Sequence, residues 1–332
     1  MSFTGALRRS TRIVAVSIAG ILATLLTPFA AVAQTDNYPA KPITIVVGYP
    51  AGGSTDQAAR ILSTELSRKV GTSIVIENIG GAAGAIGNQK VASAPPDGYT
   101  LLVGSNSDIA INRLVSSAVK YEIKDFTPIG VIASQPLVLV ASTKSNIKTM
   151  DEFLAVVRQN PGKFSYGTSG TLLQLAGELM KQQAGLSITH APYKGAAPLV
   201  NDLLGGHVDF GVLVMAGSVL PHIRSGKVVA LGTMDPRRSP ATPDIPALAE
   251  HPALKNFSIN AWFALMGPAH LPAPVVSKLQ KAFNESLQTP ELRKALEDSG
   301  SVVSPPIADL PSFLVGESAK YKRIVDAANI KE

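Results

Sequence analysis

The chain has 332 residues, 45% apolar and 16% charged, enough to fill two packed cores. It holds no Cys, which excludes thiol catalysis, disulfide scaffolds, zinc ribbons and iron–sulfur clusters. Of the formal charge of +6, three units are Arg8, Arg9 and Arg12; the +3 left on residues 34–332, with 5% aromatics, does not describe a nucleic-acid binder.

The N-terminus reads as an export signal over 1–33. Arg8, Arg9 and Arg12 form a positive start, Ile13 to Leu26 is uncharged, and Ala31-Val32-Ala33 offers a cleavage site before Gln34. The apolar run is short for a membrane span, and no basic stop-transfer sequence follows it. Ser10-Thr11-Arg12 is a poor twin-arginine continuation, so the general secretory route is expected. With no Cys at the cleavage point a lipid anchor is excluded, and a soluble periplasmic protein is expected.

From Ile43 onward, short apolar runs alternate with amphipathic stretches. Ile43–Val47 predicts a buried strand, and Asp56–Val70 a helix with Ala59, Leu62, Leu66 and Val70 on one face and Gly71 as its stop. Ile74–Glu77 and Thr100–Val103 read as strands, with a helix over Ile86–Ala94 between them. The rhythm returns with strands at Lys163–Tyr166, Thr189–Tyr193, Val208–Val212 and Val228–Leu231, and helices near Leu173–Ala184 and Ala197–Leu204. Such alternation implies parallel sheets covered on both faces. The longer apolar segments Thr127–Ala141 and Ile259–Gly267 read as crossings between two lobes. The expected organisation is one discontinuous lobe, 36–139 plus 260–332, around an inserted lobe, 140–259, with a cleft where strand ends gather.

Three glycine-rich loops follow strands and open helices: Ala51-Gly52-Gly53-Ser54-Thr55-Asp56, Gly80 to Gly87, and Tyr166-Gly167-Thr168-Ser169-Gly170-Thr171. Each alone is an ordinary strand–helix turn. Three of them, from two lobes, suit backbone N–H groups and helix N-termini facing an anion. Enzyme motifs largely fail. Gly81–Gly87 lacks the opening of a dinucleotide site, and Gly167–Thr171 resembles a nucleophile elbow with Thr171 in place of its last Gly. His190, His207, His222, His251 and His270 show no metal-ligand spacing, so no metal or cofactor is expected. Asp56, Glu77, Asp108 and Asp209 stand near strand ends, where an acid–base pair is one reading and caps or turn formers the commoner one.

Tyr49 to Asp56, Glu77-Asn78 with its Gly/Ala run, and Pro95-Pro96-Asp97-Gly98-Tyr99 resemble the substrate-binding proteins of tripartite tricarboxylate transporters, the Bug family. So do Leu175–Leu179, Tyr193-Lys194-Gly195, Leu220–Lys227 and Arg238-Ser239-Pro240. The resemblance runs in order from about residue 38 to the C-terminus. It implies an α/β periplasmic-binding-protein (Venus flytrap) fold and a monomeric, non-catalytic carrier that hands a small carboxylate to a membrane permease.

By position, the resemblance puts Tyr49, Ala51, Gly52, Gly53, Ser54, Thr55 and Asp56 on one side of the ligand's carboxylate. Tyr166, Thr168, Ser169, Gly170 and Thr171 stand on the other. Ala82, Ala83, Gly84, Ser105, Asn106 and Ser107 would line the first lobe, and Tyr193, Lys194 and Val214 the second. The segment from Tyr166 to Leu175 is about two residues shorter than in the family. Val212 to Ala216 replaces an aromatic followed by Asp and Asn, which argues against a zwitterionic amino acid. Two other classes share this cleft: an exported hydrolase with Ser169 as nucleophile and His190 as base, and a ligand sensor for a membrane signalling protein. The export reading has a direct check. N-terminal sequencing of the periplasmic fraction should begin at Gln34, whereas a membrane-bound form retaining Ile13–Leu26 would contradict it.

Overall fold

The computed structural model describes residues 37–215, 219–239 and 242–330, and the features below lie in the compact unit Pro39–Glu332. The expected signal segment 1–33 and its cleavage site fall outside the described residues, as do Ala216 and Pro240.

In chain order the strands are β1 Ile43–Val47, β2 Ile74–Asn78, β3 Thr100–Ser105, β4 Phe126–Gln135, β5 Leu137–Ser142, β6 Ser165–Thr168, β7 Thr189–Pro192, β8 Phe210–Val214, β9 Val228–Thr233, β10 Ala261–Pro268 and β11 Val302–Val303. The helices are α1 Ser54–Val70, α2 Ala85–Ala92, α3 Asn112–Val115, α4 Met150–Gln159, α5 Thr171–Ala184, α6 Ala196–Gly205, α7 Leu220–Arg224, α8 Ala273–Leu287, α9 Pro290–Asp298 and α10 Leu310–Ala328. Among the described residues the strands form a six-stranded sheet in the order β11-β4-β10-β3-β1-β2 and a five-stranded sheet in the order β7-β6-β8-β5-β9.

Both sheets are mixed, which corrects the parallel expectation. β1 pairs parallel with β2 and β3, and β6 with β7 and β8, as strand–helix alternation requires. β10 runs antiparallel to β3 and β4, and β5 antiparallel to β8 and β9. The reason is the crossings: a strand that enters a sheet from the other one arrives against the direction of its neighbours. Sheet membership changes at Pro136, between β4 and β5, so residues 137–139 pair in the second sheet. The strand expected at Lys163–Tyr166 starts at Ser165, because Asn160–Lys163 makes a turn. The strand expected at Val208–Val212 starts at Phe210, because the Asp209 carboxylate turns back to accept from the Ser165 N–H at 2.8 Å.

Register places the ends of the strands. Ser105, ending β3, faces Phe263 near the start of β10, and Ala261 faces Gln135 at the end of β4. In the second sheet Val214, ending β8, faces Leu137 at the start of β5, and Thr233, ending β9, faces Val138. The C-terminal ends of the parallel strands in both sheets therefore lie on the edges where the chain crosses over.

One apolar cluster draws from both sheets' layers: Ala110 and Ile111 after β3, Leu173 and Ala176 on α5, and Tyr321 and Ile324 on α10. Trp262 on β10 is buried in a separate cluster, and its indole N–H donates to Glu317 on α10 at 2.9 Å. On the outer side of the first sheet Phe283 of α8 lies over Gly130 of β4. A Cβ at Gly130 would stand 2.1 Å from the Phe283 ring. Gly130→Ala should therefore cost about 1–3 kcal/mol by overpacking and lower the urea midpoint without changing the slope, whereas an unchanged midpoint would show that Phe283 moves freely aside.

Candidate functional site

The first loop is built by a carboxylate. Asp56, in the first turn of α1 and 2% exposed, accepts from the Gly52 N–H at 2.8 Å, from Arg60 Nε at 2.9 Å and from Asn78 Nδ2 at 2.9 Å. Asn78 also donates to the Tyr49 carbonyl at 3.0 Å, so β2 bolts the loop at two points. Burial works against the Asp56 charge, but the donors from Arg60, Gly52 and Asn78 outweigh it, and its pKa falls below the ordinary carboxylate value. The Gly52 N–H is thus consumed internally. Gly53 caps α1 with no side-chain partner, and Ala51, Gly52, Gly53 and Ser54 are exposed, so the first N–H groups of α1 point out of the protein's own bonding. Gly52 sits at φ 88, where glycine is favoured, but Gly53 is at φ −76 with only the Pro50 carbonyl near its missing Cβ, at 3.7 Å.

The second loop packs directly on the first. A Cβ at Gly48 would lie 2.7 Å from the Gly84 carbonyl, so the two backbones touch there. Ala82 and Ala83 both hold left-handed φ, 46° and 51°, a conformation that costs an L-residue roughly 1–2 kcal/mol. What fixes Ala83 is its carbonyl, which accepts from Tyr49 Oη at 3.2 Å and Asn112 Nδ2 at 2.6 Å. Ala82 and Ala83 are exposed and Gly84 is buried.

At the end of β3 the three residues diverge. Ser105 donates its N–H, at 2.6 Å, and its hydroxyl, at 2.5 Å, to Asp108, which is fully buried. Asn106 points inward, donating to the Asn260 carbonyl at 2.8 Å and to Tyr321 Oη at 2.7 Å, and so ties β3 to the second crossing and to α10. Ser107 is half-buried and opens a π-helical turn. Burial and the neighbouring Asp108 hold the Tyr49 phenol above its ordinary pKa.

In the second sheet Tyr166 is buried and gives its hydroxyl to Glu178 on α5 at 2.7 Å, away from the strand end. Thr168 is 2% exposed and its hydroxyl meets His190 Nε2 at 2.7 Å. Burial lowers the His190 pKa, with Glu178 opposing it. His190 Nε2 is thus engaged by Thr168, the neighbour of the Ser169 that the hydrolase reading names as nucleophile. Ser169 and Thr171 are half-buried around the exposed Gly170, which opens α5 without a side-chain cap. Tyr193 donates to Asp202 at 2.8 Å, Lys194 is exposed, and Val214 is half-buried at the end of β8.

Sequence reasoning missed Asn78, Asn88 and Asn112 as builders of the site. Asn78 was visible only as part of the Glu77-Asn78 motif that carries the family resemblance, and Asn112 carries no local signal. No group of His, Asp and Glu suited to a metal occurs among the described residues, and no helix among them is long and apolar enough to cross a membrane.

Two α/β sheets whose strand ends meet at the crossings, with helices opening there on glycines, define a two-lobed binding protein. The family model described as the tripartite tricarboxylate transporter family receptor matches residues 58–330, and the chain belongs to that family. Protein BugT of Bordetella pertussis is 34% identical over 310 residues, covering 91% of this chain and 94% of the relative. Rpa4515 of R. palustris, solved with adipate, is 30% identical with a TM-score of 0.73, covering 89% of this chain and 99% of that one. MatC of Rhodopseudomonas palustris, solved with bound malate, is 29% identical with a TM-score of 0.69, covering 87% and 100%.

The loop architecture makes a mutational prediction. Asp56→Ala leaves the Gly52 N–H, Arg60 and Asn78 without their acceptor and should cost about 1–3 kcal/mol at neutral pH. A depressed pKa stabilises the fold above about pH 4 and loses that effect as pH falls through the folded value. Urea midpoints of the two proteins should therefore differ near neutrality and converge in acid, and a constant gap would assign the cost to packing alone.

Proposed function

We propose that this chain is an exported, non-catalytic, monomeric carrier that captures a small carboxylate between its lobes and delivers it to the permease of a tripartite tricarboxylate-type transporter. The lobes are read as 36–139 with 260–332 and 140–259, and the change of sheet at Pro136 lies close to the first boundary. The observation that carries the reading is the pair of helices that open on a glycine, α1 after Gly53 and α5 after Gly170, at the crossing edges of two different sheets. Helix N-termini attract anions through their free N–H groups and positive dipole end. Hydrogen bonds to a charged group contribute about 1.5–3 kcal/mol each, so a few such donors supply affinity without a buried cation. Arg60, the nearest guanidinium in the first loop, is engaged by Asp56 and Asn78. Membership in a receptor family, and relatives solved with adipate and malate, support the ligand class. Because Val214, ending β8, and Met215 after it stand where the resemblance implies an acid that would pair an ammonium, the carrier is read as one for plain organic acids.

The test is a melting-temperature panel of acetate, malate, adipate, citrate and benzoate on the purified protein. An acid at a hundred times its dissociation constant adds roughly 2.7 kcal/mol. A carrier should return that acid chemically unchanged by NMR. Gly53 has an ordinary φ and open space beside it, so Gly53→Val folds without strain and places its side chain where the ligand approaches. It should weaken binding at least about tenfold, roughly 1.4 kcal/mol, at unchanged melting temperature. Lys194→Ala, on an exposed flexible stem, should cost less. Normal binding by Gly53→Val with abolished binding by Lys194→Ala, turnover of the acid, or no response to any member of the panel would overturn the reading.

A further inference from the structure

A site for an anion would be expected to lack negative charge, yet a carboxylate stands directly behind it. Asp108 is 0% exposed and lies under the Tyr49–Gly84 contact: a Cβ at Gly84 would meet Asp108 Cβ at 2.9 Å, Asp108 Oδ2 at 3.4 Å and Tyr49 Cζ at 3.3 Å. Its Oδ1 takes both donors of Ser105, the N–H and the hydroxyl, at the end of β3. Its Oδ2 accepts from Asn88 Nδ2 at 3.2 Å, and its carbonyl accepts from Tyr121 Oη. A capping acid three residues after a serine is a common device, but such an acid is ordinarily open to water. Here the charge is sealed, and it competes for the donors a ligand carboxylate would use.

The surroundings are arranged to receive a proton. Asn88 is also fully buried, and its Oδ1 has no hydrogen-bond partner while its Nδ2 faces Asp108 and Tyr121. Turning that amide over brings Oδ1 within reach of Asp108 Oδ2, where it would accept from a protonated carboxyl. The titratable groups facing Asp108 are the phenols of Tyr49, after β1, and Tyr121, both held neutral by burial and by Asp108 itself; the partners from β3 and α2, Ser105 and Asn88, carry no charge.

We propose that Asp108 takes up one proton from solvent when the ligand's carboxylate enters, and that this releases the Ser105 hydroxyl from Asp108 to the ligand. The O–H bond forms at Oδ2, the Asn88 amide accepts it, and the charge lost on Asp108 is replaced by the charge of the ligand. Asp108 thereby acts as a positioning residue that sets the charge of the site, and the proposal rests on the carboxylate reading given above. Burial already raises the Asp108 pKa to about 6 in the free protein, and a second negative charge nearby raises it further. At neutral pH the free protein is therefore mostly ionised at Asp108, which leaves a proton to be taken up on binding.

The experiment uses the acid of the panel (acetate, malate, adipate, citrate or benzoate) that raises the melting temperature most. Calorimetry in buffers of different ionisation enthalpy at about pH 7 should show net uptake approaching one proton per ligand. Affinity should rise by up to about tenfold per unit as pH falls from about 8 to about 6. Asp108→Asn should abolish both the uptake and the pH dependence over that range. An infrared difference spectrum of the unmodified protein should gain a carboxylic-acid C=O band on binding. That measurement decides the question even where Asp108→Asn does not fold. Tight binding without proton uptake or without the band, or uptake that survives in Asp108→Asn, overturns this inference and leaves the carrier reading standing. Failure of every acid to bind overturns both.

Discussion

Pro136 is the constraint on which the site depends. Proline has no N–H to give to a ladder, so one long extended segment breaks there into β4 and β5, each paired in a different sheet. Once a strand leaves one sheet and enters the other at that point, the ladder registers do the rest. Ser105 and Gln135 end on one edge, Val214 and Thr233 on the facing one, and every parallel strand delivers its following loop to the crossing. The loops need no further steering, because strand direction alone brings them together.

Much of this was legible. β1 was read to the residue, α1 to within two residues, and its end at Gly71 was marked by glycine alone. The glycine-rich loops were found because glycine is a local signal of a backbone that must turn or touch. Sheet direction was not legible, since periodicity reports which face is buried and is silent about a neighbour's orientation. The site was legible as loops and not as bonds. Asp56 reads in sequence as a cap or turn former, with the resemblance placing it beside the ligand; in space it builds the loop, because Asn78 and Arg60 reach it from a strand end and the next helical turn. Asn88 and Asn112 reveal themselves only when several elements have come together, and nothing in their immediate neighbours marks them, whereas Asn106 was read as lining the first lobe and its bonds to Asn260 and Tyr321 were not.

The polar groups divide into those that hold the loops and those that are left facing outward. Tyr49, Asn78, Asp56 and Asn112 satisfy one another and the backbone of both first-lobe loops. That internal bonding offsets the left-handed Ala82 and Ala83 and keeps the helix start at Gly53 open. A rigid, uncapped helix end loses little freedom when an anion binds, which is where preorganised sites gain their affinity. The apolar cluster joins α5, α10 and the turn after β3, so the layers of the two sheets are packed together there as well as linked by the crossings.

The position of β10 in the first sheet also sets an order of events. It lies between β3 and β4, yet it is made after the whole second sheet, so until Ala261–Pro268 emerges β3 and β4 have no partner on their facing sides. The first lobe cannot close early around its own N-terminal part. Long-range pairings of this kind fold slowly, and the unpaired edges stay exposed meanwhile. A nascent chain with such a topology remains open until most of it has been synthesised, which is the state in which a polypeptide can still be threaded through a narrow pore.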